Sequence, residues 1–362
     1  MSMVKTEAYV VKAQGEDLVK EEIELPELKA TELELDMICC GLCHTDIHMR
    51  DNDWGVANYP LVPGHEGIGI VRAIGSAVKT HKVGDKVSVA WIRDSCLDCD
   101  SCACGRENIC QKGYQGTYLA SNAGIFGKEA CNTFGCFSKI MHVSARFCVK
   151  IPEGIPDEIA APLACGGGTV FEPIMTHCQP GTKLGIAGIG GLGTAAIKLA
   201  KLRGVVPIAI SSSPGKKQAA LAAGCSDFLV INDDADVEKW AGKIDVILDT
   251  TPVNTQPVAK YMGLLKFDGV YCRVGVPPAS DQKFSFDFLP LIFTQKTICG
   301  SIVTGTYRLD KMYKLVADNL DFILADNPDM QQVEKVPFDQ VNDVMKNLSS
   351  RTNKGYRYVL YW

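Results

Sequence analysis

The chain has 362 residues, 46% hydrophobic and 22% charged, with a formal net charge of −5 at neutral pH. That length suggests two domains rather than one core, and the composition is that of a globular protein. The acidic balance without any Lys/Arg block argues against a nucleic-acid partner, and the absence of a long apolar run argues against a membrane span or a secretory signal, so a cytoplasmic location is expected.

The first 150 residues carry short β-like runs such as "EAYVVKA", "IGIVRAIG" and "DKVSVAWI", broken by Gly and Pro, and predict an irregular, mostly β domain. Within it "GLCHTDIH" gathers Cys43, His44, Thr45, Asp46 and His48, a mixture that a packed core has no use for, because each buried polar group needs a partner. "PGHEGIG" follows with His65 and Glu66. "CLDCDSCACGRENIC" then spaces Cys96, Cys99, Cys102 and Cys110 as C-x2-C-x2-C-x7-C. Four thiolates in one loop satisfy a tetrahedral zinc with no position left open, which is a structural site. The loop has little apolar material, so the metal supplies folding energy that a core would otherwise supply. Cys104 is a fifth thiol in the loop and an alternative to Cys102. The sixteen cysteines of the chain read as thiols and ligands before disulfides.

Near Ile151 the pattern changes. "IPEGIPDEIAAPLACGGGTVFEPIM" reads as a linker entering a helix that starts at Pro156 or Asp157, and it contains Cys165. Cys43, His65 and Cys165 together would leave a zinc with one open position, as catalysis requires, and Glu66 could fill or vacate it. On spacing alone a plain buried thiol is the default reading of Cys165, because these ligands lie so far apart. Strands at Lys183–Gly188, Val205–Ser211, "DFLVI" and "IDVILDT" then alternate with helices at Gly191–Arg203 and "GKKQAALAAG". That rhythm predicts a parallel, doubly wound sheet up to about Gly300. Beyond Ser301 come helical segments and the strand-like "GYRYVLYW".

The strand "KLGIAG" runs into Gly188-Ile189-Gly190-Gly191-Leu192-Gly193, a G-x-G-x-x-G that opens an amphipathic helix. Gly188 allows the turn, Gly190 lets backbone approach a pyrophosphate at the helix N-terminus, and Gly193 lets helix pack on strand. About twenty residues on, an acid would bind the ribose 2′-OH of NAD. Here Ser211, Ser212, Ser213, Lys216 and Lys217 stand instead, donors and cations suited to the 2′-phosphate of NADP(H).

"GLCHTDIH", "YPLVPGHEGIG", the four-cysteine loop, "APLACGGGTV", "GIGGLG" and "SSSPGKK", in this order over nearly the whole chain, resemble the zinc-dependent medium-chain dehydrogenase/reductase superfamily in its alcohol dehydrogenase branch. "SSSPGKKQAALAAG", "LDTTPV" and "YCRVGVP" look most like the NADP(H)-using cinnamyl alcohol dehydrogenase group, whereas "HMRDNDWG" and the tryptophan of "SVAWIRDSC" look more like yeast and bacterial ethanol dehydrogenases. The chain departs from both between Gly116 and Phe137, where Cys136 replaces an expected glycine.

The resemblance implies an α/β protein with a GroES-like, mostly-β catalytic domain over 1–155 and 301–362 and a Rossmann cofactor domain over 156–300. It implies two Zn2+ per chain and NADP(H), with Cys43, His65, Cys165 and exchangeable Glu66 on the catalytic zinc and Cys96, Cys99, Cys102 and Cys110 on the structural one. Thr45 would hold the substrate oxygen and pass its proton through the cofactor ribose to His48, with Asp46 orienting the zinc histidine. His44 receives no role. Thr251 and Gly275 join the glycine loop, the serines and the lysines as cofactor contacts, and Trp54 and Trp91 become candidates for the substrate wall, with ordinary core packing as the alternative. The implied reaction moves hydride between NADP(H) and a primary alcohol or aldehyde, aliphatic or aromatic, with zinc as Lewis acid. A reductase of an activated carbon–carbon double bond and a non-catalytic NADPH-binding protein are the rival readings. "TICGSIVTG" would form a sheet edge that joins a homodimer, with a tetramer as the larger alternative.

Overall fold

The structure, a computed structural model, describes residues 4–118, 134–252, 257–281, 283, 287–325, 333–350 and 357–362. Two compact units divide the chain: Met1–Cys165 with Thr304–Ala317 and Val333–Trp362, and Gly166–Val303 with Asp318–Gln332. Most of the divergent stretch between Gly116 and Phe137 lies outside the described residues; Cys136, at its end, is fully buried.

The first unit is mostly β. Strands β1 (Val4–Val10) and β2 (Val19–Leu25) form a hairpin-like pair, and β3 (Glu32–Gly41), β4 (Gly67–Ile74) and β5 (Lys86–Val89) run antiparallel in the main sheet. Strands β6 (Ile92–Ser95) and β7 (Tyr114–Gly116) bracket the cysteine loop, while β8 (Ile140–Ser144) and β9 (Cys148–Lys150) add to β3 and β5.

The second unit is a six-stranded, all-parallel sheet of β10 (Lys183–Ala187), β11 (Val206–Ser211), β12 (Asp227–Val230), β13 (Ile244–Asp249), β14 (Leu265–Arg273) and β15 (Thr297–Gly300), in the order β12-β11-β10-β13-β14-β15. Its inner strands are nearly continuous runs of buried residues, as expected where helices cover both faces. The strand order reverses between β10 and β13, the place where doubly wound sheets bind ligands. Finally β16 (Val333–Pro337) and β17 (Arg357–Tyr361) return to the first unit, where β17 pairs antiparallel with β3.

Beside a three-residue shift of the expected 300/301 boundary to 303/304, the division departs from the expected one in two longer stretches. The helix Asp157–Pro162 belongs with the β unit because it packs on β3, β4 and β17; Asp157 also accepts Lys86 at 2.7 Å, and the Ala160 carbonyl accepts Tyr313 at 2.9 Å. The segment from Asp318, by contrast, leaves that unit. Its helix Leu320–Leu324 presents the Ile323 carbonyl to Lys198 at 2.6 Å, and Lys198 lies on the helix Gly191–Leu202.

Candidate active site

Strand register brings distant residues to one end of the β unit. Cys40 stands opposite Gly67 in the β3–β4 ladder, and Gly41 stands opposite Val359 in the β17–β3 ladder. The residues just past the end of β3, just before β4 and at the start of β17 therefore meet: Cys43, His65 with Glu66, and Arg357. Cys165 arrives from another direction. After Pro162 the helix widens into a π turn over Leu163–Gly167, a distortion common at functional sites, and Cys165 sits at its centre.

The ligand atoms of Cys43, His65, Glu66 and Cys165 all lie within 4.8 Å of one another, and His65 Nε2 is 3.2 Å from Cys165 Sγ. His65, Glu66 and Cys165 are buried and Cys43 is half-buried. The Cys165 thiol donates to Cys43, which pulls Cys43 well below the ordinary thiol range and pushes Cys165 up. Burial raises Glu66 to about 8, against the pull of Arg357, whose Nη1 lies 3.1 Å from Glu66 Oε1. Two sulfurs and one ring nitrogen converging beside a shielded carboxyl are the donor set of an open zinc site, so the residues fit that ion.

Asp46 organises this group. Fully buried, it accepts the Cys43 N–H at 3.0 Å, the Gly64 N–H at 3.0 Å, Tyr118 Oη at 2.8 Å and His65 Nδ1 at 3.2 Å. The last contact leaves Nε2 to face the sulfurs. Burial lowers the basicity of His65, but the charge and hydrogen bond of Asp46 outweigh it and raise its pKa. Trp91 and Tyr118 wall the imidazole at centroid distances of 5.2 and 5.6 Å. Trp91 is thus 8% exposed and packed edge-on against His65.

Thr45 and His48 lie one helical turn apart on the helix His44–Arg50, on one face and both half-buried, whereas His44 is exposed. His48 Nδ1 is 2.7 Å from Asp53 Oδ2, and its ring lies 4.8 Å from Trp54, centroid to centroid. Asp53 is an acid five residues past His48, a short-range signal that sequence reasoning passed over; nothing in the sequence points to Tyr118 or Arg357.

The four-cysteine loop closes on itself. Sγ separations are 3.5 Å for Cys99–Cys102, 3.8 Å for Cys96–Cys102 and 3.4 Å for Cys96–Cys110, while Cys104 is exposed outside the group. That arrangement selects Cys102 over Cys104. Backbone N–H groups of Cys102 and Gln111 hold the Cys99 thiol down to about 6. Glu107, fully buried, anchors the loop by accepting the Thr306 N–H at 3.0 Å and Arg146 at 3.0 Å.

In the second unit, β10 is followed by Gly188, whose φ of +87° suits glycine, and a Cβ there would lie 2.8 Å from Thr251. A Cβ on Gly193 would meet the Gly188 carbonyl at 2.0 Å, so helix and strand touch only because it is glycine; one on Gly190 would meet nothing, leaving open space over the N-terminus of Gly191–Leu202. Ile189 is buried, and Gly191 and Leu192 form the first helical turn. Thr250 Oγ1 donates to the Gly188 carbonyl at 2.9 Å, Thr251 Oγ1 donates to buried Asp249 at 2.6 Å, and Gly275 packs on the Thr251 carbonyl. At the end of β11, Ser211 is buried, while Ser212, Ser213, Lys216 and Lys217 are exposed; Lys216 Nζ reaches back to the Ile189 carbonyl at 2.7 Å. The loop, the threonines and the lysines thus share the carboxyl edge of the sheet at its reversal point.

Residues 29–153 match the alcohol dehydrogenase GroES-like domain and residues 191–318 match the zinc-binding dehydrogenase domain. Cinnamyl alcohol dehydrogenase 7 of Arabidopsis thaliana is 38% identical over 327 residues, covering 90% of this chain and 86% of that protein. NADP-dependent alcohol dehydrogenase C 1 of Mycolicibacterium smegmatis is 33% identical, with 99% of this chain and 98% of that protein covered. A solved structure of a cinnamyl alcohol dehydrogenase from Sorghum bicolor superposes with a TM-score of 0.86 at 32% identity, over 99% of this chain and 98% of the other. Among the described residues no helix is long and apolar enough to cross a membrane. With its family domains matched and its relatives aligned over nearly their full length, the chain belongs to the zinc-dependent medium-chain dehydrogenase/reductase superfamily, in its alcohol dehydrogenase branch, and is an oxidoreductase of alcohols and aldehydes.

Proposed function

We propose that the protein interconverts a primary alcohol and its aldehyde with NADP(H), and that Cys43, His65 and Cys165 hold the zinc at which this happens. The observation that carries the reading is the convergence of those three donors with Glu66 within 4.8 Å, around a histidine whose other nitrogen is held by Asp46. When bound, zinc supplies Lewis-acid polarisation of the substrate oxygen and the nicotinamide supplies or accepts the hydride.

The chain's own residues do the rest. Asp46 fixes the tautomer and direction of His65, and Arg357 holds Glu66 as a fourth, exchangeable donor. Thr45 Oγ1 accepts or returns the proton of the substrate oxygen, since a hydroxyl donates and accepts at once. His48, with Nδ1 bound to Asp53, exchanges that proton with solvent through Nε2. Trp54, its ring tilted against His48, supports an aromatic wall for the substrate; Trp91 packs against His65 and serves to position it. Ser212, Ser213, Lys216 and Lys217, exposed at the end of β11 with no acid among them, favour a nucleotide bearing a 2′-phosphate, and the naming of the M. smegmatis relative agrees. Because metal-ligating thiolates must stay reduced, the reading includes a reducing, cytoplasmic setting.

A steady-state panel of aliphatic and aromatic aldehydes with each nucleotide tests this. Charge-assisted contacts to one phosphate predict about a hundredfold higher kcat/KM for NADPH than for NADH. A preference for NADH would remove the nucleotide assignment, and no turnover on any aldehyde would remove the function.

The reading also includes a homodimer joined along β15. This strand ends the six-stranded sheet, and beside it Phe267, Phe288, Leu289, Ile292 and Phe293 are 65–77% exposed, an apolar patch that a monomer rarely shows to water. Phe293→Asp should convert the assembly to monomers in sedimentation velocity with zinc content unchanged; an unaltered sedimentation coefficient would place the interface elsewhere.

A further inference from the structure

A third group of soft donors lies in the second unit, away from both cysteine sets. β14 and β15 pair in parallel with Tyr271 opposite Ile298 and Cys272 opposite Cys299. Side chains alternate between faces along a strand. Tyr271 and Ile298 face the core that includes Tyr261 and Leu291, so Cys272 and Cys299 face the opposite side. There the helix Gly168–His177, which packs on β13 and on the helix Gly191–Leu202, ends in His177. His177 Nε2 is 3.7 Å from Cys299 Sγ, and the donor atoms of His177, Cys272 and Cys299 all lie within 4.8 Å of one another.

This is the same donor set, two sulfurs and an imidazole, that Cys43, Cys165 and His65 form in the other unit. The spacing also fits a metal. Zinc–sulfur bonds of about 2.3 Å and zinc–nitrogen bonds of about 2.0 Å at tetrahedral angles put sulfur and nitrogen roughly 3.5 Å apart. Packing alone would account for one buried cysteine and for a histidine at a helix C-terminus, where the dipole favours it. It does not account for two thiols from neighbouring strands meeting an imidazole from a third element. Cys272 is fully buried and the other two are half-buried, so the group has both shelter and an approach.

We propose that His177, Cys272 and Cys299 form a third metal site, selective for a thiophilic divalent ion of the zinc class and open at its fourth position. The ion would tie the end of the helix Gly168–His177 to the outer two strands of the sheet. Its assignment is independent of the reaction proposed above, because none of the three residues takes part in it.

The test uses the intact protein, equilibrated with excess Zn2+, desalted and measured for zinc per chain beside Cys299→Ser and His177→Gln. The expected result is one zinc fewer in each variant than in the parent, with aldehyde reduction changed less than about twofold. Full Co2+ replacement of zinc in the parent should give a thiolate charge-transfer band that is weaker in both variants, with one cobalt fewer per chain. His177→Gln keeps the inference testable if Cys299→Ser folds poorly. Equal zinc content in parent and His177→Gln, or a cobalt band of undiminished intensity and equal cobalt per chain in it, overturns the site. Conversion of Cys272 and Cys299 to a disulfide in the freshly reduced, zinc-loaded protein would overturn it too.

Discussion

Cys165→Ser should lower turnover of aldehyde by about a thousandfold while leaving NADPH affinity nearly intact. The serine removes one of two thiolates, and a hydroxyl does not ionise at neutral pH to replace it. Cys43 and His65 would then hold the ion with one thiolate in place of two. Each tenfold in rate corresponds to about 1.4 kcal/mol, and a Lewis acid contributes several times that. The proposed nucleotide contacts, Gly188–Gly193 and the end of β11, lie in the other unit, so binding should be spared. Fluorescence titration with NADPH separates the two effects. Turnover within tenfold of the parent would show that Cys165 is a buried thiol and no ligand.

Cys99→Ser should produce the opposite signature. The folded, soluble yield should drop and Tm should fall by roughly 10 °C, while any folded fraction keeps most of its turnover. The Cys96–Cys110 loop has little to hold it besides its thiolates: Leu97 is 48% exposed and Ile109 43% exposed, and the buried Glu107 anchors only its far end. Cys99 is the thiol that two backbone N–H groups stabilise as an anion, and a serine hydroxyl there does not ionise to replace it. Thermal scanning with and without a zinc chelator checks the assignment. A parent protein whose Tm is indifferent to chelation would mean that the loop folds without metal.

The two candidate metal groups differ in how legible they were. The four-cysteine loop is local: its ligands lie within one turn-rich stretch, and tetrahedral zinc leaves few other uses for that spacing. Only the choice between Cys102 and Cys104 waited for the tertiary structure, in which Cys104 is exposed. The G-x-G-x-x-G was equally local, because strand, turn and helix follow one another within a few residues. The open site was not. Cys43 and His65 could be suspected from their neighbours, but Cys165 entered through resemblance to a known family, and its position depends on a π turn that no periodicity announces.

What the sequence by itself determined is therefore the chemistry available at each local motif: a closed thiolate cage, a phosphate-binding turn without an acid to exclude a 2′-phosphate, and a polar cluster at Cys43–His48. What only the tertiary structure decided is who meets whom. Arg357 reaches Glu66 because β17 and β4 flank β3, and Tyr118 reaches Asp46 from beyond the cysteine loop. The chain also returns to the nucleotide-binding unit at Asp318, and Cys272 and Cys299 share a face with His177. The reason is physical. Spacing along a chain constrains geometry only over the few residues that one turn or helix spans, whereas contacts between strands are set by register, and register is chosen by the burial of whole faces at once.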